Sequence, residues 1–139
     1  MNASFVEKSV WVQVTALIAV LGGYFWTAKQ MFMAGVMDIR AYVAVFAVSV
    51  VMLVIVLVAG HIVVAITSRG DFSDERDRLI AWRAEALSSW VMGIGILSAI
   101  SAMIVGVETV LVAHLLLLSL LLSEILANGL RILFYRRGV

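Results

Sequence analysis

Four long apolar stretches constrain this chain more than any other feature. They cover about residues 9–27, 41–67, 87–107 and 109–134, and each approaches or exceeds the ~20 mostly apolar residues that a membrane-crossing helix needs. With 64% hydrophobic and 14% charged residues, a soluble fold of this size could not bury its apolar surface. The sequence predicts one membrane domain, residues 1–139. It would be an all-α integral membrane four-helix bundle with antiparallel neighbouring spans and the lipid bilayer as its solvent.

The third and fourth stretches run together almost without interruption. As one helix, Ser88 to Asn128 would be about 60 Å long, twice the thickness of the hydrocarbon layer. The stretch must therefore fold back, and Gly106, Glu108 and Thr109 supply the clearest break for a turn. Between the first two spans, residues 28–40 are expected to form an outer loop.

Basic residues predict the orientation, because they accumulate on the cytoplasmic side. The outer side would carry only Lys29 and Arg40. Aromatic residues would mark the interfaces, with Trp11, Trp90 and Tyr135 inside and Tyr24, Trp26 and Tyr42 outside. Both termini and the segment 68–86 are predicted to be cytoplasmic, because that side would carry Lys8, Arg69, Arg76, Arg78, Arg83, Arg131, Arg136 and Arg137.

The charged segment between spans two and three is predicted to begin a helix that continues into span three, with Ser73 as its N-cap. It is interpreted either as a solvated helix end or as a docking surface, Ser73 to Leu87, for a cytoplasmic partner or lipid headgroups. Its five acids against four arginines argue against a simple polybasic lipid site. The predicted partner contacts are Asp74, Glu75, Arg76, Asp77, Arg78 and Arg83.

From Asp74 onward the chain resembles a group of small, uncharacterised bacterial membrane proteins. They share a D-E-R-D segment, an isoleucine, a basic-small pair and two closing transmembrane helices. The resemblance implies a bacterial inner-membrane location and this topology, and carries no activity. It rests on Asp74, Glu75, Arg76, Asp77, Ile80, Arg83 and Ala84.

Ionisable residues within the spans are candidate functional groups, since burying them in lipid is costly. Glu124, Asn128 and Arg131 lie on one face of span four by their spacing. His61 on span two would lie within about 6 Å of the depth of Glu124. The hypothesis is that His61 and Glu124 form a hydrogen-bonded or proton-exchanging pair. The alternative is that both only lock helices together.

Metal and cofactor sites receive little support. His61 and His114 would differ in depth by about 20 Å, too far apart to hold one haem iron. Glu108 with His114 gives only two ligands for a metal. Met31, Met33 and Met37 could bind Cu(I), but interfacial packing is the simpler interpretation. The chain has no cysteine, so no cofactor or metal is predicted.

Small residues spaced four apart predict close helix contacts in lipid. They occur in spans one and three, which would pack against each other or across a homo-oligomer. Span two, rich in valine and leucine, is expected to face lipid. The predicted packing residues are Thr15, Ala19, Gly23, Gly95, Ser98, Ala99, Ala102 and Gly106.

The sequence contains no catalytic triad, zinc-protease motif, phosphate-binding loop or nucleic-acid surface. The leading hypothesis is therefore a non-enzymatic scaffold, accessory subunit or signalling partner. One alternative is a small oligomeric ion, proton or solute transporter that uses Glu124 and His61. Another is an immunity-type protein that blocks a membrane toxin.

Overall fold

A computed structural model describes residues 5–67 and 75–137, and nearly all of them are helical. Helix α1 spans Phe5–Met33, α2 spans Ile39–Thr67, α3 spans Glu75–Ile104 and α4 spans Thr109–Arg137. Each of these helices is long and apolar enough to cross a membrane. The prediction of an all-α membrane protein with four spans is confirmed. Ser73 and Asp74, the expected cap and partner contact, lie outside the described residues.

The first connection is shorter than the sequence predicts. Helix α1 continues to Met33 and α2 begins at Ile39, so the loop is residues 34–38 and not 28–40. The prediction was wrong because Lys29, Gln30 and Met31 are polar or flexible but favour helices. Helix α3 likewise begins at Glu75, well before the apolar stretch that starts at Leu87.

Glycine ends both hairpin-forming helices by the same mechanism. Gly35 and Gly106 have φ angles of 82° and 79°, a conformation that side chains disfavour. The following residue in each case donates a backbone hydrogen bond five residues back, from Val36 to Met31 (3.1 Å) and from Val107 to Ala102 (2.9 Å). These bonds satisfy carbonyls that the helix end would leave without partners.

The helices form a row in the order α2–α1–α4–α3. Helix α1 packs against α2 and α4, α4 also packs against α3, and the other pairs share at most isolated contacts. Ser9 contacts His61 and Tyr24 contacts His114, which makes α1 antiparallel to both its neighbours. We call the end with the two glycine turns the hairpin end. The terminal end holds the start of α1 and α3 and the finish of α2 and α4.

A buried hydrophobic cluster lies at the hairpin end, where α1, α2 and α4 converge. Tyr24, Ala28, Tyr42 and Val110 are buried there, with Phe25, Phe46 and other apolar side chains packed around them. The rest of α2 is poorly covered, and none of residues 50–63 is buried. Helix α2 therefore needs lipid along most of its surface.

Candidate functional site within the spans

His61 joins α2 to α1 and does not meet Glu124. Its Nδ1 lies 2.7 Å from the carbonyl oxygen of Leu57, so Nδ1 carries the proton and donates it there. Its Nε2 then accepts from the Ser9 hydroxyl at 2.9 Å, with the Gln13 amide at 3.5 Å. The predicted His61–Glu124 pair is wrong, because equal depth does not fix which helices are neighbours, and α1 lies between α2 and α4.

His114 makes a matching connection at the hairpin end. Its Nδ1 donates to the Val110 carbonyl at 2.7 Å, and its Nε2 accepts from the Tyr24 hydroxyl at 3.0 Å. The Tyr24 ring stacks on the imidazole and the Tyr42 ring meets it edge-on. Because both ring nitrogens are engaged, His114 offers no free ligand for the metal site considered with Glu108.

Sequence reasoning missed this Tyr24–His114–Tyr42 cluster. Tyr24 and Tyr42 are only 4% and 3% exposed, so they are buried groups and not the interfacial anchors that the sequence predicted. Tyr42 donates to the Val36 carbonyl at 2.8 Å, which links α2 to the connection that precedes it. The available signal was the similar depth of Tyr24 and His114 in antiparallel spans.

On the predicted polar face of α4, Glu124 forms a hydrogen bond only through its backbone carbonyl. Asn128 Nδ2 donates to the Glu124 carbonyl oxygen at 2.9 Å, whereas the Glu124 side chain is exposed. No hydrogen bond or ion pair joins that carboxyl to another residue within 5–67 or 75–137. Arg131 turns to α3 and pairs with Glu85. The three side chains therefore do not form a relay.

Two buried polar atoms accompany this arrangement. Asn128 Oδ1 and Arg131 Nε are buried and have no hydrogen-bond partner in the described chain. Asn128 is 2% exposed, so its amide oxygen is shielded from solvent and lipid. A buried acceptor without a donor costs about 1–3 kcal/mol.

The terminal ends of α3 and α4 are joined by polar side chains. Tyr135 donates to Asp77 Oδ1 at 2.8 Å, Arg131 donates to Glu85, and Ser123 donates to the Ser88 carbonyl at 3.0 Å. Ile80, Ala84 and Ser88 are buried on the same face of α3. One face of the predicted docking surface is therefore occupied by α4, and among the predicted partner contacts Asp77 is bonded to it.

The remaining predicted partner contacts lie on the open side of α3. Arg76, Arg78 and Arg83 are exposed, and none makes a hydrogen bond or ion pair with another described residue. Glu75 is also exposed, at the first position of the helix. The acids Asp77 and Glu85 thus have hydrogen-bond partners on α4, whereas the exposed arginines do not.

The small residues spaced four apart are partly buried in α3 but exposed in α1. Gly95 and Ala99 are buried, and a Cβ at Gly95 would overlap Ser119 of α4. Ser98 is exposed, Ala102 is half-buried and Gly106 is in the turn. Thr15, Ala19 and Gly23 are exposed, and Ala19 and Gly23 line an open apolar hollow of about 730 Å³ between α1 and α2. Helices α1 and α3 do not form the expected pair.

The methionines of the first connection do not gather. Met31 packs against the buried cluster at the hairpin end, while Met33 and Met37 are exposed.

Comparison with known proteins adds no relative to this description. No protein-family model, curated protein or solved structure matches the chain. The resemblance based on the D-E-R-D segment stays a prediction.

Proposed function

We propose that this protein is a non-enzymatic scaffold or accessory subunit of the bacterial inner membrane, and that Glu124 is where it contacts another transmembrane helix. One observation carries the proposal. Glu124 is the sixteenth of the 29 residues in α4, which puts an exposed carboxyl near the middle of the span. Its side chain has no partner among the described residues.

An unpaired carboxyl at this depth is expensive. Insertion of an acid at a helix centre costs at least about 2.5 kcal/mol, so such groups normally face protein or water. Nothing within this chain's described helices offsets that cost. A neighbouring transmembrane helix with a hydroxyl, amide or basic side chain at the same depth would supply the missing hydrogen bond. Lateral assembly therefore explains why α4 retains the residue.

The packing of the first turns of α3 against α4 also favours a contact within the membrane over the cytoplasmic docking surface that the sequence predicts. Asp77 and Glu85 are held by Tyr135 and Arg131 of α4. Both carboxylates therefore already have a partner within the protein, although the Glu85 side chain is still 61% exposed. The Ser73–Leu87 surface is thus reduced to its outward face.

Photo-crosslinking in native membranes tests the proposal. Leu120 lies one turn before Glu124 on the same face, and Leu122 lies two residues away on the opposite face; both are exposed. A benzophenone amino acid at Leu120 should give a defined crosslinked product that is lost with Glu124→Leu. The same probe at Leu122 is the control and should crosslink only to lipid.

The product mass separates the kinds of assembly. Twice the mass of the chain indicates a homo-oligomer, and any other mass indicates a subunit of a larger complex. Equal crosslinking from Leu120 and Leu122, or products that persist in Glu124→Leu, would contradict a contact at Glu124.

Transport is the second candidate, because an exposed intramembrane carboxyl can also carry a proton or cation between subunits. This candidate depends on Glu124, because both ring nitrogens of His61 are hydrogen-bonded, to Ser9 and Leu57. Glu124→Gln separates the two functions, because glutamine still forms hydrogen bonds but cannot titrate. A scaffold should keep its crosslink in this variant. A transporter should lose its proton or cation flux in liposomes.

A further inference from the structure

The first turns of α3 present an outward face that combines arginines with large apolar side chains. Arg76 and Arg83 border a hollow of about 240 Å³, which is floored by Leu79 and Ile80. The two arginines are seven residues apart, a rise of about 10.5 Å, and lie on the same side of the helix. Both guanidinium groups can therefore approach one anion in the hollow.

The charge of this face differs from the charge of the sequence segment. Asp77 accepts a hydrogen bond from Tyr135 and Glu85 pairs with Arg131. Both acids are therefore directed toward α4. Of the described residues, Arg76 and Arg83 lie on the side of the helix that carries the hollow, and Arg78, two residues after Arg76, lies across the helix from it. The side chain of Glu85 is 61% exposed but lies across the helix from Arg83, and Glu75 is at the helix start, where the helix dipole stabilises a carboxylate. The balance of acids and arginines in the sequence thus hides a basic surface.

Apolar groups place this basic surface at the edge of the bilayer. Trp82 and Trp90 are 68% and 73% exposed, and Leu79 and Leu87 are also exposed. Tryptophan concentrates at the headgroup level of membranes. The eight residues from Trp82 to Trp90 rise about 12 Å along α3, leading from the arginines toward the centre of the span. This change from charged to apolar side chains along α3 matches a lipid, with its headgroup and acyl chains, better than a water-soluble protein.

We propose that this hollow binds the headgroup phosphate of an anionic phospholipid. Arg76 and Arg83 contact the phosphate, because guanidinium groups match its oxygens in charge and geometry. The acyl chains lie along Trp82, Leu87 and Trp90. The inference is independent of the role of Glu124, which lies near the middle of α4.

Fluorescence quenching tests the site. A variant with Trp11, Trp26 and Trp90 changed to phenylalanine retains Trp82 as its single tryptophan; the three replaced residues are all exposed. It is reconstituted into phosphatidylcholine vesicles that contain brominated phosphatidylglycerol or, separately, the same fraction of brominated phosphatidylcholine. Trp82 should be quenched more strongly by the brominated phosphatidylglycerol.

Arginine variants in the same background distinguish a built site from diffuse attraction. The preference for phosphatidylglycerol should fall at least about tenfold with each of Arg76→Gln and Arg83→Gln, since each variant loses a charge-assisted hydrogen bond to the phosphate. Arg78→Gln is the matched control, because Arg78 is exposed on the same turns but does not border the hollow. Arg40→Gln controls for loss of charge at the hairpin end.

Two results would overturn the proposal. One is equal quenching by the two brominated lipids, which would leave an acidic protein as the better occupant. The other is an equal loss of preference in Arg78→Gln, which would reduce the effect to general charge. Helix content measured by circular dichroism identifies any variant that fails to fold.

Discussion

His61 and His114 stabilise the fold by the same chemistry at opposite ends of α1. Each donates from Nδ1 to the carbonyl four residues earlier in its own helix, which leaves Nε2 as an acceptor. A hydroxyl of α1 then donates a hydrogen bond to Nε2, from Ser9 to His61 and from Tyr24 to His114. The intrahelical bond therefore sets the tautomer that makes the interhelical bond possible. Both histidines thereby connect α1 to a neighbouring helix.

The His61–Ser9 bond should show as an interaction energy between these residues. In a double-mutant cycle of His61→Leu and Ser9→Ala, we expect a coupling of about 0.6 kcal/mol, and at most about 1.7 kcal/mol, as found for such bonds in membranes. The free energy of unfolding in mixed micelles measures it. Ser49→Ala is the control, because Ser49 bonds only to Val45 of its own helix. Coupling of His61 to Ser49 as strong as to Ser9 would contradict this role.

Close approach of helix backbones determines how α3 and α4 pair. Gly95 faces Ser119 with no room for a further carbon atom, whereas a Cβ at Gly93 would meet nothing within 4 Å. The same relation holds between Gly60 of α2 and Val12 of α1. Buried Ala99 and Ser88 extend the contact of α3 along its length. Because lipid is as apolar as the helix surfaces, the hydrophobic effect does not drive these helices together. Close packing at small residues favours their association instead.

Gly95→Ala should destabilise the protein by about 1–3 kcal/mol, the usual cost of forcing a carbon atom into a filled contact. Gly93→Ala is the matched control and should be neutral or slightly stabilising, because alanine favours helices. Unfolding in mixed micelles compares them. Adding Ser119→Gly to Gly95→Ala removes the overlapping atoms and should restore stability. Equal effects of Gly93→Ala and Gly95→Ala would contradict the close contact.

The helices assemble as a row and not as a closed square. Helix α1 mediates between α2 and α4, and α2 and α3 hardly touch although they follow each other in the chain. Helix α2, at one end of the row, is largely uncovered by the other helices, and Val51, Ile55 and Val58 are among its exposed side chains. The terminal end is basic and the hairpin end carries only Lys29 and Arg40. This asymmetry supports the orientation that the sequence predicts.

Cysteine labelling tests that orientation without background, because the chain has no cysteine of its own. Ala34→Cys lies in the first turn and Arg137→Cys at the finish of α4, and both sites are exposed. A membrane-impermeant maleimide should label Ala34→Cys in intact cells. Arg137→Cys should react only after the inner membrane is opened. The reverse pattern would place the terminal end outside the cell.

The sequence by itself determined the number of spans, the turn at Gly106 and the basic character of one end. Each of these depends on local features, since a segment's transfer into lipid is set by its own length and polarity. It did not determine lateral packing, because spans that are apolar on every face carry no periodicity that marks a neighbour.

Only the tertiary structure decided that His61 meets Ser9, that Tyr24 and Tyr42 enclose His114, and that Glu124 is left exposed. It also directed Asp77 and Glu85 onto α4, which leaves the outward face of α3 basic. The physical reason is that hydrogen bonds and close contacts between helices depend on which helices meet and at what rotation. The hydropathy of a single span specifies neither its neighbouring helices nor its rotation about its own axis.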